Sequence, residues 1–144
     1  MSECIFACDI QVRESEIDAL NGVANFYYYA YCSHSHNRMV AAIGWDLHKL
    51  HTEGFDSVII KNEMEFKQSL YIDDKIRVYS DIKIKGSMQI IFTDTIIRVA
   101  DNAVVANSKW VGCVINTRTG DFAELAELRE AIDNYLATHE KIVF

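Results

Sequence analysis

The sequence predicts an α+β fold: a curved, antiparallel five-stranded sheet wrapped around a long central helix, with a second helix at the C-terminus. Three observations carry that reading. Five segments alternate apolar and polar residues, one near the N-terminus and four in succession after residue 56, as strands with one buried face do. A segment of helical periodicity separates the first from the rest. The later strands are joined mostly by tight turns, which link antiparallel neighbours because parallel ones need a long crossover.

In the first strand, residues 4–13, Phe6, Cys8, Ile10 and Val12 alternate with Ala7, Asp9, Gln11 and Arg13. Residues 23–43 follow the helical period: Tyr28, Tyr29, Cys32, Met39, Val40 and Ile43 share one broad face, with Val23, Tyr27, Ala30, Tyr31 and Ala41 roughly opposite. A helix apolar on nearly every side is expected to be buried within the domain, and Gly44 supplies its stop. A short helical piece, DLHKLHTEG, ends at Gly54. Period two then returns, with Val58, Ile60, Asn62, Met64 and Phe66 against Ile59, Lys61, Glu63, Glu65 and Lys67. The next strand sets Ile76, Val78, Ser80, Ile82 and Ile84 against Arg77, Tyr79, Asp81, Lys83 and Lys85. Gly86-Ser87 turns into MQIIFTDTIIRVA, Asp101-Asn102 into AVVANSKWVGCVI, and Thr119-Gly120 closes the sheet region. Leu125, Leu128, Ile132 and Leu136 recur at spacings of three and four, a helix within residues 122–138.

Residues 1–144 read as a single domain, with no linker, repeat or low-complexity segment. That length buries roughly two thirds of the unfolded surface. No apolar run nears the roughly 20 residues of a membrane span, and the N-terminus lacks the basic leader of a signal peptide. Cys4, Cys8, Cys32 and Cys113 form no CxxC pair, and a reduced, cytoplasmic setting is the simplest expectation. The net charge of -7 argues against a nucleic-acid partner, whose binding rests on phosphate neutralisation. No metal site is expected: His34 and His36, two apart on a helix, point in opposite directions. His48 and His51 have no third ligand placed beside them. His34 lies on the face of Val23, Tyr27 and Tyr31 and is expected at an interior or an interface.

The stretch VRESEIDALNGVANFYYYAY runs from a strand end through an acid and a glycine-containing turn into an aromatic helix start. Together with FKQSLYIDDKIRV and KIKGSMQIIFTDTII it resembles the hotdog-fold acyl-CoA thioesterases related to 4-hydroxybenzoyl-CoA thioesterase, over almost the whole chain. The resemblance implies an enzyme that hydrolyses an acyl thioester to free acid and CoA, without a cofactor, as a homodimer or homotetramer. It places Asp18 at the family's catalytic carboxylate and Asn25 where a backbone N–H meets the thioester carbonyl. It implies substrate contacts at Gly22, Val23 and Tyr28, and, near the CoA nucleotide, at Lys85 and Ser87. The sequence departs from the family at three places. The family's turn glycine is Asn21, which tolerates positive φ; helix Glu and Arg positions read His34 and His36; a proline after the aromatic strand is Ser69.

Thioester hydrolysis needs a nucleophile or activated water and a group to stabilise the developing oxyanion. Asp18 suits the first role, as attacking carboxylate or general base. The unpaired amides of a helix start suit the second. Asp18 as a simple cap of the turn or helix is the competing reading. Two alternatives to hydrolysis are a non-catalytic acyl-thioester binder and a hotdog hydratase or dehydratase, the latter needing a histidine beside the acid. CoA and an acyl carrier protein both remain as the thiol carrier; the acidic charge disfavours the usually acidic carrier protein.

Overall fold

The alternating segments after residue 56 form four long strands, β3 (Phe55–Phe66), β4 (Lys75–Lys85), β5 (Gln89–Arg98) and β6 (Ala103–Asn116). A computed structural model describes residues 1–144. Before these strands come β1 (Glu3–Cys4), β2 (Phe6–Gln11), helix α1 (Asn25–Ile43) and helix α2 (Leu47–Thr52); α3 (Ala126–Thr138) and β7 (Ile142–Val143) follow them. The five-stranded antiparallel sheet has the order β2-β4-β5-β6-β3. The hairpins turn on left-handed residues, Gly86 at φ 66° and Asn102 at φ 56°, conformations that glycine and asparagine accept most readily.

Strand order departs from the chain order that tight turns suggest. β3 pairs with β6 at the far edge, not with β4, because residues 67–74 carry the chain across the end of the sheet. A register shift between Ile59 and Lys61 bends β3, as bulges do. The terminal helix starts at Ala126 and α1 at Asn25, each a few residues later than the periodicity suggests. The chain ends add a pairing the sequence did not signal: β1 and β7 form a two-stranded sheet, and Phe144 stacks on Tyr79 with ring centroids 4.1 Å apart.

The sheet's inward residues and one face of α1 make a single buried cluster that includes Tyr28, Tyr31, Cys32, Met39, Val40, Ile76, Val78, Ile90, Phe92, Ile96 and Val105. The opposite face of α1 is not buried. Ala30, Ser33, His34, Asn37 and Ala41 are exposed, so the expectation of a helix covered on all sides is corrected to a helix covered on one. Burial raises all four thiols, Cys4 to about 11. Each therefore packs as a small apolar group.

At the centre of the contact between α1 and the sheet sits a polar cluster. Asp94 of β5 accepts hydrogen bonds from His36 Nε2 (2.8 Å), Ser80 Oγ (2.6 Å) and Ser108 Oγ (2.7 Å). Ser35 Oγ joins Ser80 Oγ at 2.7 Å, and the His36 ring stacks on Phe92. Every member is bonded, which is what makes so polar a centre tolerable. Replacing Asp94 by Ala strips three buried donors of their acceptor. The expected cost is about 3 kcal/mol or more, the scale of removing one partner of a buried pair. Urea denaturation measures it, and a variant as stable as the parent would show that the cluster does not secure α1.

Candidate active site

The turn between β2 and α1 is built from local hydrogen bonds. Ile17 and Val23 form an isolated antiparallel bridge, and Asp18 N–H donates to Gly22 O at 2.9 Å, so residues 18–22 close a small loop. Asn21 takes φ 65°, the left-handed conformation its side chain tolerates. Gly22 does not share it. A Cβ there would meet only Leu70 O, at 3.7 Å, an ordinary contact.

Asp18 is exposed. Its Oδ1 accepts the Leu20 N–H at 2.8 Å, the Asx-turn pattern. It therefore caps the turn but not the helix, and the carboxylate's second oxygen is bonded to nothing in the chain.

The helix start is open. The N-cap residue of α1, Ala24, has no side chain able to accept a hydrogen bond. Its own N–H is taken by Glu16 O (3.1 Å), and Tyr27 N–H by Ala24 O (3.0 Å). The N–H groups of Asn25 and Phe26 have no acceptor in the chain, and both residues are exposed. Orphan donors carrying the positive end of a helix dipole suit a developing oxyanion. An alanine N-cap forgoes about 1 kcal/mol that Ser, Asp or Asn would supply.

Residues 67–74 wall this corner. Val23 N–H donates to Leu70 O at 2.9 Å. Tyr28, only 2% exposed, accepts the Leu70 N–H (3.1 Å) and donates to Gln68 O (3.4 Å). Arg98 ties the same loop through Ser69 O and Gln68 Oε1. Tyr28 thus fixes the loop to the helix from inside the chain. The surface around the corner is apolar, with Leu20, Phe26, Tyr71 and Ile72 each about half exposed or more.

The structure brings Asp18, Gly22, Val23, Asn25 and Tyr28 into one neighbourhood. Lys85 and Ser87 lie elsewhere, at the far end of β4, about 33 Å along an eleven-residue strand from Lys75. Ser87 O accepts the Leu125 N–H, and Arg129 donates to Gly86 O, so this hairpin is bound to the start of α3. A mostly apolar cavity of about 310 Å³ opens between Trp45, Leu50, Phe55, Val114, Leu125 and Leu128. It sits at the C-terminal end of α1, a helix about 28 Å long, and so away from Asp18.

Sequence reasoning missed Glu16, Asp94 and His36. Asp94 and Ser80 were detectable as polar residues on the apolar side of an alternation, between Phe92 and Ile96 and between Val78 and Ile82. Glu16 carried no comparable signal, because acids abound in RESEID. Burial alone would push its carboxyl up. The Arg13 backbone and side chain and the Tyr31 hydroxyl outweigh that and hold it below its ordinary value.

No helix of the chain is long and apolar enough to cross a membrane. No curated protein sequence matches the chain. Solved structures do. The 1,4-dihydroxy-2-naphthoyl-CoA thioesterase from Synechocystis superposes with a TM-score of 0.85 at 15% identity, over 90% of this chain and 96% of its own. A Staphylococcus aureus protein solved in complex with CoA gives 0.85 at 17% identity, over 100% and 91%. A gentisyl-coenzyme A thioesterase gives 0.76 at 16% identity, over 85% and 98%. At such identities the likeness establishes the hotdog fold. Residues 12–136, which hold the turn, the helix start and the whole sheet beyond β2, match the family model for the thioesterase-like superfamily, and the chain belongs to that superfamily.

Proposed function

We propose that the protein is an acyl-CoA thioesterase, with Asp18 and the opening amides of α1 as its reacting centre. The observation that carries the reading is the 17–23 bridge, which joins an exposed carboxylate to a helix start whose first N–H groups are unclaimed. CoA as the thiol carrier is supported by the CoA thioesterases and the CoA complex among the structural relatives.

As general base, Asp18 takes a proton from water while the hydroxyl oxygen adds to the thioester carbonyl. The amides of Asn25 and Phe26 receive the charge that gathers on the carbonyl oxygen. Collapse of the tetrahedral adduct breaks the C–S bond, and the departing thiolate takes up the proton. As nucleophile, Asp18 would displace the CoA thiolate by breaking the C–S bond, forming a mixed anhydride that water then hydrolyses to free acid and regenerated Asp18, with the amides holding the oxyanion in each half. Gly22 and Val23 hold the turn, and Tyr28 sets the loop that walls the acyl side.

The active form in this reading is a homodimer. β3 is a twelve-residue edge strand with Ile59, Ile60 and Phe66 exposed, and an uncovered edge of that length is an aggregation template. The exposed face of α1 is rich in small residues that allow a second helix close approach. Lys85 and Ser87 would reach the ligand only across such an interface, given their distance from Asp18 in one chain.

Four expectations test this reading. Purified protein should release free thiol from members of a panel of short, long and aromatic acyl-CoAs. Asp18→Asn should lower that rate at least about a hundredfold, the scale of one essential acid–base group. Tight acyl-CoA binding without thiol release would instead identify a binder. Ala24→Ser should raise stability by about 1 kcal/mol by capping α1 and yet depress kcat, because its hydroxyl competes for the Phe26 N–H. A gain in both would remove the amides from the mechanism. Sedimentation should find a dimer, reduced to monomer by Ile60→Glu; a monomeric, fully active parent would overturn the shared site.

A further inference from the structure

Glu16 is a charged group with almost no contact with water, 2% exposed, in a stretch whose neighbours are mostly solvated. Burying a carboxylate is costly unless its oxygens are fully bonded, and here they are. Oε1 accepts the Tyr31 hydroxyl (2.8 Å) and the Arg13 backbone N–H (2.8 Å). Oε2 accepts Arg13 Nη2 (2.9 Å) and Nε (3.2 Å). The Glu16 carbonyl oxygen takes the N–H of Ala24, the N-cap residue of α1.

These bonds come from both sides of the Asp18 loop. Arg13 precedes it, two residues after the end of β2. Ala24 and Tyr31 follow it, at the start and in the second turn of α1. Tyr27, one turn before Tyr31 on the same helix face, adds a hydroxyl bond to Ser15 O at 3.3 Å. A helix held at two points on one face can neither rotate nor slide relative to the 14–16 turn. An apolar side chain at position 16 would fill the space without fixing that angle, since apolar contact is non-directional.

We infer that Glu16 is a positioning residue: its carboxylate clasps the first turns of α1 to the segment leading into Asp18, and so sets the distance between the acid and the oxyanion amides. It touches no substrate and acts through Asp18, Asn25 and Phe26. The inference rests on the thioesterase reading for its effect on turnover, whereas the clasp itself can be measured without it.

The test compares Glu16→Gln, Glu16→Ala and Tyr31→Phe in the full chain by amide hydrogen exchange and by steady-state kinetics. Exchange at the bonded amides of Asp18, Asn21, Val23 and Ala24 should rise about tenfold or more in Tyr31→Phe and Glu16→Gln, while amides in the centres of β4 and β5 keep the parent's protection, as a local opening requires. On any acyl-CoA that the parent hydrolyses, kcat should fall between about tenfold and a hundredfold with KM within about twofold, the signature of misplaced reacting groups. Should Glu16→Ala fail to fold, Tyr31→Phe, which removes one bond to one oxygen, still decides the matter. Unchanged exchange at those four amides, or an increase shared equally by the sheet, overturns the clasp. Local exchange that rises with kcat untouched overturns its positioning role. A parent that releases no thiol sinks the hydrolase reading alone, and the exchange result then stands by itself.

Discussion

The position of α1 over the sheet is the constraint on which the remaining geometry depends, and Asp94 is the group that sets it. Most of the contact is apolar, with Tyr28, Cys32, Met39 and Val40 over Ile76, Val78, Ile90 and Phe92. Such contact holds the layers together but is indifferent to small shifts along the helix axis. The bonds from His36 on the helix and from Ser80 and Ser108 on two neighbouring strands converge on one carboxylate. A one-residue shift of the helix would take His36 from Asp94 and Ser35 from Ser80, in a region of low dielectric where an unpaired polar group is most costly. Packing supplies the attraction, and the buried acid supplies the register.

A register fixed mid-helix carries to the helix end only if the end is held too. Glu16 does this at the N-terminal side, and the loop of residues 67–74 does it through Tyr28 and Val23. Local capping has been left out where it would be easiest to place. Ala24 stands at the N-cap with no acceptor, although Asp18 lies six residues away and spends its Oδ1 on Leu20. A sequence that gives up helix stability at that one point, while investing a buried carboxylate in holding the same turn, favours open amides over a stable end. Departures of this kind from local optimality gather at functional sites.

Much of the architecture was legible because it rests on short-range periodicity. The alternation of Ile76, Val78, Ser80 and Ile82 located β4 and its inward face, and Gly86 and Asn102 marked the hairpins by their tolerance of left-handed φ. The left-handed Asn21 likewise occupies the position where the resemblance has a glycine. Non-local features were not legible. Nothing in Phe55–Phe66 indicates that it pairs with β6 rather than β4, since both orders satisfy the same alternation. The solvated face of α1 was misread because Ala30 and Ala41 count as apolar in a helical projection, yet their small side chains lose little by exposure. Glu16 was invisible for a related reason. Its burial comes from Tyr31, fifteen residues on, and no local pattern distinguishes it from the solvated Glu14.

The single chain leaves its candidate site open on one side, and the residues around that opening are the wrong ones for permanent exposure to water. Leu20 on the Asp18 loop, Phe26 in the first turn of α1 and Tyr71 and Ile72 in the 67–74 segment are exposed, as are Ile59, Ile60 and Phe66 on the edge strand β3. Covering them would remove a large apolar area from water at about 25 cal/mol per Å². It would also lower the dielectric around Asp18 and the amides of Asn25 and Phe26, where dipole and charge act most strongly once water is excluded. In the proposed dimer one event does both. The same apolar burial that drives two copies together would turn an exposed acid and two solvated amides into a reacting centre, coupling turnover to assembly through solvent exclusion, with no need for a further change of shape.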